Sequence, residues 1–136
     1  MNYRKFITTG EQLPQWSNPI SHAVVVNNMC FISGQLSVNS SGQYVPGNIK
    51  EEAELAFKNL FAAAFAAGFS KNEIVFIDLA FADSTELEAV NELYVELFPE
   101  GKRPDRTVYQ AAALPFGGKI KVTATAVKDD QIITNL

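Results

Sequence analysis

Two periodicities alternate along the chain, and the places where one gives way to the other mark out its elements. Tyr3 to Thr8 is a short mixed segment that reads as an edge strand. Gly10 to Ser21, rich in Gly, Pro, Gln, Ser and Asn, reads as a surface loop anchored by Trp16 and Ile20. His22 to Val26 and Met29 to Ser33 are apolar runs separated by Asn27-Asn28. Asparagine tolerates positive φ, so this spacing predicts a hairpin closed by a type I′ turn. A glycine then interrupts the strand pattern at Ser33-Gly34-Gln35, marking a bulge or a close approach to the backbone. Asn39 to Gly47 is a second turn-rich loop.

Helical spacing takes over next. Asn48 and Glu51 have the form of a capping box, and Ala53, Phe57, Leu60, Phe61, Ala64 and Phe65 fall on one helical face that Gly68 ends. Glu73 to Ala82 is almost continuously apolar, as in a strand covered on both faces, with Asp78 as its one interruption. Asp83-Ser84 with Glu86 opens a second helix whose stripe is Leu87, Val90, Asn91, Tyr94 and Phe98. Period 2 returns after Pro99 to Asp105. Arg106, Val108, Gln110 and Ala112 share one face of a strand; Thr107, Tyr109, Ala111 and Ala113 share the other. Leu114 to Gly118 reads as the turn of a hairpin. Beyond it Ile120, Val122, Ala124 and Ala126 alternate with Lys119, Lys121, Thr123 and Thr125, and Lys128 to Leu136 is a polar tail.

The order strand, hairpin, helix, strand, helix, two strands predicts a single α+β domain with a mixed β-sheet. Two helices can cover only one face of it. The other face, expected to carry Arg106, Lys121, Thr123 and Thr125, must be wet or covered by further copies. A symmetric oligomer packing sheet against sheet answers this best.

Composition narrows the function classes. A chain of 136 residues, 47% hydrophobic and 19% charged, buries a core without staples, and no apolar run approaches the roughly 20 residues of a membrane span. The start, MNYRKFITTG, has no apolar signal core, and one cysteine, Cys30, reads as an inert buried thiol; both suit the cytoplasm. A net charge of -4 and a pI near 4.9 argue against nucleic acid as a partner, since Lys102, Arg103 and Arg106 form the only basic cluster. With one histidine, no ligand-spaced His/Cys/Asp/Glu set and no phosphate-binding glycine motif, neither a metal nor a nucleotide cofactor is expected.

Four features remain as candidates, each with two readings. Arg106 is either a bidentate carboxylate clamp or a strand-end arginine paired with Asp105 or another acid. Asn91 is a cleft amide or a core amide bonded to backbone. Ser33-Gly34 lines a site or is a plain bulge, and Lys121 reaches a cleft or is solvated. His22 opens its strand beside a surface loop and is a weaker candidate.

Taken in order, Ser33-Gly34-Gln35, Ala67-Gly68, Val90-Asn91 with Tyr94 and Phe98, Pro104-Asp105-Arg106, and Leu114-Pro115 before Lys119-Ile120 resemble the Rid (YjgF) family of reactive-intermediate deaminases. The resemblance spans Pro19 to Val127. It implies a chorismate-mutase-like fold, a homotrimer with sheets facing inward, and intersubunit clefts where small 2-imino acids or their enamine tautomers become 2-keto acids and ammonia without a cofactor. It also implies that Arg106 holds the substrate carboxylate as the catalytic residue, that Asn91, Ser33, Gly34 and the backbone beside Val108 line the cleft, and that Ile20 and Lys121 stand at cleft positions. Three positions depart from the family pattern. Lys121 replaces a glutamate that places the attacking water, Ile20 replaces a tyrosine, and His22 replaces a glutamine. A lysine beside Arg106 makes the cleft doubly cationic and favours a ligand with two negative groups. The alternative that follows is a non-catalytic or divergent trimeric binder of a small carboxylate or keto acid.

Overall fold

Two reciprocal hydrogen bonds start the longer helix. The Asn48 side chain accepts from Glu51 N and the Glu51 carboxylate accepts from Asn48 N, both at 2.9 Å, which closes the expected capping box at the head of α1, Ile49–Ala66. Gly68 ends it with φ of 87°, a left-handed conformation that glycine adopts without a Cβ clash. These elements belong to a computed structural model that describes residues 4–129, so Tyr3 and the tail beyond Asp129 lie outside the described residues.

The strands are β1 (Arg4–Ile7), β2 (Ala23–Val26), β3 (Met29–Gln35), β4 (Ile74–Phe81), β5 (Asp105–Gln110) and β6 (Ile120–Val127), and the second helix is α2, Leu87–Leu97. They form one mixed sheet in the order β1-β2-β3-β6-β4-β5, with both helices on one face. The hairpin expected between β5 and β6 does not form. β6 lies antiparallel between β3 and β4, and β5 runs parallel to β4 on its far side. A parallel pair needs a crossover, and α2 supplies it. β5 is short, largely exposed and preceded by Pro104, which suits an edge; β6, apolar on one side along its whole length, suits the interior.

The β2–β3 hairpin does form, but only Asn27 of its two loop residues has positive φ, at 55°, so the turn is not type I′, which needs both. The N-terminal loop is held by Leu13 and Pro14; Ile20 is 54% exposed. Phe65 also departs from the expected buried stripe of α1, at 75% exposure. β4 is covered on both faces only toward its C-terminal end, where Ala80 lies under Leu36, Val38 and Leu114. Val75 at its start is exposed.

Residues opposite one another in adjacent strands share a face. Ile7, Ala23, Ile32, Ala124, Ile77 and Arg106 make one row across all six strands, and the first five are buried beneath the helices. Arg106 therefore ends a core row on the helix-covered face. Lys121, opposite Ala80 in the alternate register, points to the open face with Thr123 and Thr125. This overturns the expectation that Arg106 and Lys121 share the uncovered face.

Two buried polar side chains in α1 tie the sheet to its loops. Asn59 donates from Nδ2 to Leu36 O at 3.0 Å and Val38 O at 2.8 Å. Its replacement by alanine leaves Val38 O without its donor and Leu36 O with the Val38 amide alone, and is expected to cost about 2 kcal/mol, read as a lower urea midpoint at unchanged slope. Glu52, one turn into the helix, accepts from Tyr44 Oη at 2.6 Å, Lys119 N at 3.0 Å and Gly47 N at 3.3 Å.

Candidate active site

Arg106 leaves the edge strand beneath α2, where Asn91 and Tyr94 are one helical turn apart. Its Nη1 donates to Asn91 Oδ1 at 2.8 Å, and the guanidinium carbon sits 4.8 Å from the centre of the Tyr94 ring. Asn91 Nδ2 in turn donates to Glu88 at 3.5 Å. Among the described residues Arg106 makes no ion pair, with Asp105 or any other acid. A depression of about 430 Å³ opens beside it, lined by Asn91, Tyr94, Val95, Arg103, Pro104 and Arg106. Two cations and no carboxylate in this lining suit an anion. The Tyr94 hydroxyl is buried without a partner; burial raises its pKa, while Arg106 and Arg103 oppose the rise.

The other candidates gather on the open face. Between Ile32 and Gln35 the register with β6 shifts, so Ser33 and Gly34 together face Thr123 as a bulge. Ser33 Oγ donates to Ser21 O at 2.7 Å, fastening the bulge to the N-terminal loop. Gly34, Ile20 and Lys121 line a pocket of about 250 Å³ with Trp16, Gln35 and Phe116 among its other walls. His22 is buried behind it, its ring against Trp16 at 3.7 Å between centroids. Burial lowers the His22 pKa and outweighs the Pro14 carbonyl, so the ring is neutral. With Nε2–H donating to Pro14 O at 2.7 Å, Nδ1 accepts from Gln35 Nε2 at 3.2 Å. Gln35 Oε1 is then left buried with no partner.

Val108 and Ser33 line neither concavity. Val108 is half-buried and packs against the main core. Phe116 was not among the expected site residues. It holds φ of 64°, a strained conformation for an aromatic residue, and stacks on Tyr44 at 5.9 Å while leaving its outer face to the pocket. The Gly117-Gly118 pair after it was the available signal. A larger groove of about 770 Å³ runs along the outside of α1 past Phe57, Phe61, Phe65 and Leu93, but no unpartnered buried polar group points into it.

A sequence profile described as Endoribonuclease L-PSP matches residues 10–128. The chain belongs to that family. The L-PSP family is also the Rid or YjgF family, so the resemblance drawn from the ordered motifs is borne out. Among similar proteins is the 2-iminobutanoate/2-iminopropanoate deaminase of Mus musculus, 42% identical over 126 residues, which are 92% of this chain and 92% of that protein. Solved structures agree in fold. RidA from the Antarctic bacterium Psychrobacter superposes with a TM-score of 0.84 at 31% identity, over 91% of this chain and 99% of its own. TdcF from E. coli, solved with bound serine, gives 0.83 at 30%, over 92% and 100%.

In this L-PSP protein the two concavities stay apart within one copy, because Arg106 and Lys121 leave the sheet on opposite faces. Among the described residues no group of three His, Cys, Asp or Glu side chains could hold a metal ion, and no helix is long and apolar enough to cross a membrane.

Proposed function

We propose that the chain is an enamine/imine deaminase that converts small 2-imino acids to 2-keto acids and ammonia. The observation that carries the reading is Arg106, held by Asn91 and Tyr94, unpaired, beside an opening of the right polarity for a carboxylate. Its planar fork grips the carboxylate in two places and fixes the adjacent C=N carbon. Water oxygen bonds to that carbon while the nitrogen takes up protons. The C–N bond then breaks, ammonia leaves and the carbonyl forms, with one water consumed and no change of oxidation state. A protonated imine is already electrophilic, so holding it still is most of the task.

The site closes between copies in this reading. A trimer sets the Arg106 edge of one copy against the open face of the next, which carries Gly34, Ile20 and Lys121. Exposed Phe6, Phe31 and Tyr109 on that face support its being covered. Asn91, Ser33 and the Val108 backbone shape the Arg106 side and the bulge. A cytoplasmic setting fits as well, since Cys30 is an unpaired thiol whose burial pushes its pKa up to about 11.

The alternative of a non-catalytic binder rested on Lys121 replacing a glutamate. Likeness to a deaminase across nearly the whole chain favours hydrolysis over it. The word endoribonuclease in the family description finds no support in a chain of net charge -4. The test is ammonia release from 2-iminobutanoate generated in place by a threonine dehydratase, with the sedimentation mass taken at the same protein concentration. Acceleration by a trimer is expected. No acceleration, or an active monomer, overturns the reading.

A further inference from the structure

The open-face pocket contains a cation with no acid paired to it among the described residues. Lys121 leaves β6 and lays its stem across Gly34. A Cβ built on Gly34 stands 2.7 Å from Lys121 Cδ and 3.0 Å from Cγ, so the missing side chain is what lets the lysine lie flat along the pocket wall. Among the described residues the one ion pair is Lys119 with Glu52, and none of the residues lining the pocket is Asp or Glu. An ammonium held in a walled pocket whose lining has no carboxylate can take a carboxylate from outside.

We propose that Lys121 is a specificity-determining residue that receives a second carboxylate, so that the preferred substrates are 2-imino dicarboxylates. The inference rests on the deaminase reading above, in which Arg106 of a neighbouring copy takes the first carboxylate. A substrate with one acid group leaves the partly buried ammonium of Lys121 without a counter-charge. A diacid satisfies both cations at once. The pocket, at about 250 Å³ and walled by Trp16 and Phe116, has room for a short carboxylate-bearing arm.

The experiment compares 2-iminosuccinate, generated by an aspartate oxidase, with 2-iminopropanoate, generated by an alanine-oxidising amino-acid oxidase. The quantity read is the ratio of the two kcat/KM values. The wild-type ratio is expected to favour the diacid by about tenfold or more, and to fall by about tenfold in Lys121→Met and further in Lys121→Glu, the scale of one charge-assisted contact. Calorimetry with oxaloacetate and pyruvate reads the same preference without catalysis. A wild-type ratio near one, or a diacid preference that survives in Lys121→Met, overturns the proposal. Selective oxaloacetate binding that Lys121→Met abolishes, in a protein that hydrolyses neither imine, supports the Lys121 site and overturns the deaminase reading instead.

Discussion

Replacing Arg106 with alanine lowers the rate of 2-iminobutanoate hydrolysis by about 100-fold or more, the scale on which losing a positioning clamp misplaces a reacting centre. The expectation follows from how the side chain is held. The Asn91 carbonyl takes one Nη1 proton at 2.8 Å and the Tyr94 ring lies beneath the guanidinium, which leaves the rest of the fork facing the depression. Arg106→Lys keeps the charge and loses the planar pair of donors, so it is expected to recover only part of the activity. Because Arg106 makes no ion pair among the described residues, its removal strands none of their acids, and the melting temperature is expected to stay close to wild type. Activity of Arg106→Ala within threefold of wild type sinks the clamp.

The second large effect is on stability and centres on Glu52. This carboxylate is 1% exposed and gathers the Tyr44 hydroxyl, the Gly47 and Lys119 amides and the Lys119 ammonium. The ammonium, at 3.4 Å and 40% exposed, adds little; the cost of truncation lies in the donors left unsatisfied. Glu52→Ala is expected to lose about 3 kcal/mol, or on the order of 10 °C in melting temperature. Burial alone raises the pKa of this carboxyl, but the hydrogen bonds from Tyr44, Lys119 and Gly47 outweigh it and hold it below the ordinary value of 4.5. A depressed pKa stabilises the fold fully above 4.5 and ceases to do so as pH falls through the folded value. Acid titration of stability is therefore expected to be steeper in wild type than in Glu52→Gln, and equal slopes contradict the assignment. Tyr44 is pushed up to about 12 by burial and by the hydrogen bond and charge of Glu52, so the same cluster also loses stability as pH rises above 10. Tyr44 in turn backs Phe116, which makes Glu52 a remote support of the open-face pocket.

Local signals in the chain were strong and the long-range ones weak. The capping box, the glycine stop at Gly68, the β2–β3 hairpin and the bulge at Ser33-Gly34 each depend on residues within a few positions of one another. Strand neighbours do not. Alternation in β6 tells which residues share a face, but it is silent on whether β5 or β4 lies beside it. The same limit explains Arg106. Its shared face with Val108 was readable, and Val108 was the clue that this face is the core side, yet a charged residue drew the assignment to the open side. Glu52 and Asn59 went unnoticed because polar residues on a helix read as solvated. They are seven positions apart, two turns, on the same face as Ala56 and Leu60, and that coincidence was the available sign.

The placement of β6 also bears on biosynthesis. The strand made last among the six occupies the middle of the sheet, so a nascent chain that has emerged as far as β5 holds two sheet fragments with nothing to join them. β3 and β4 both present bare edges until residue 127 has left the ribosome. Closing the sheet is then a late zipping event, and a product truncated before β6 is a sticky one.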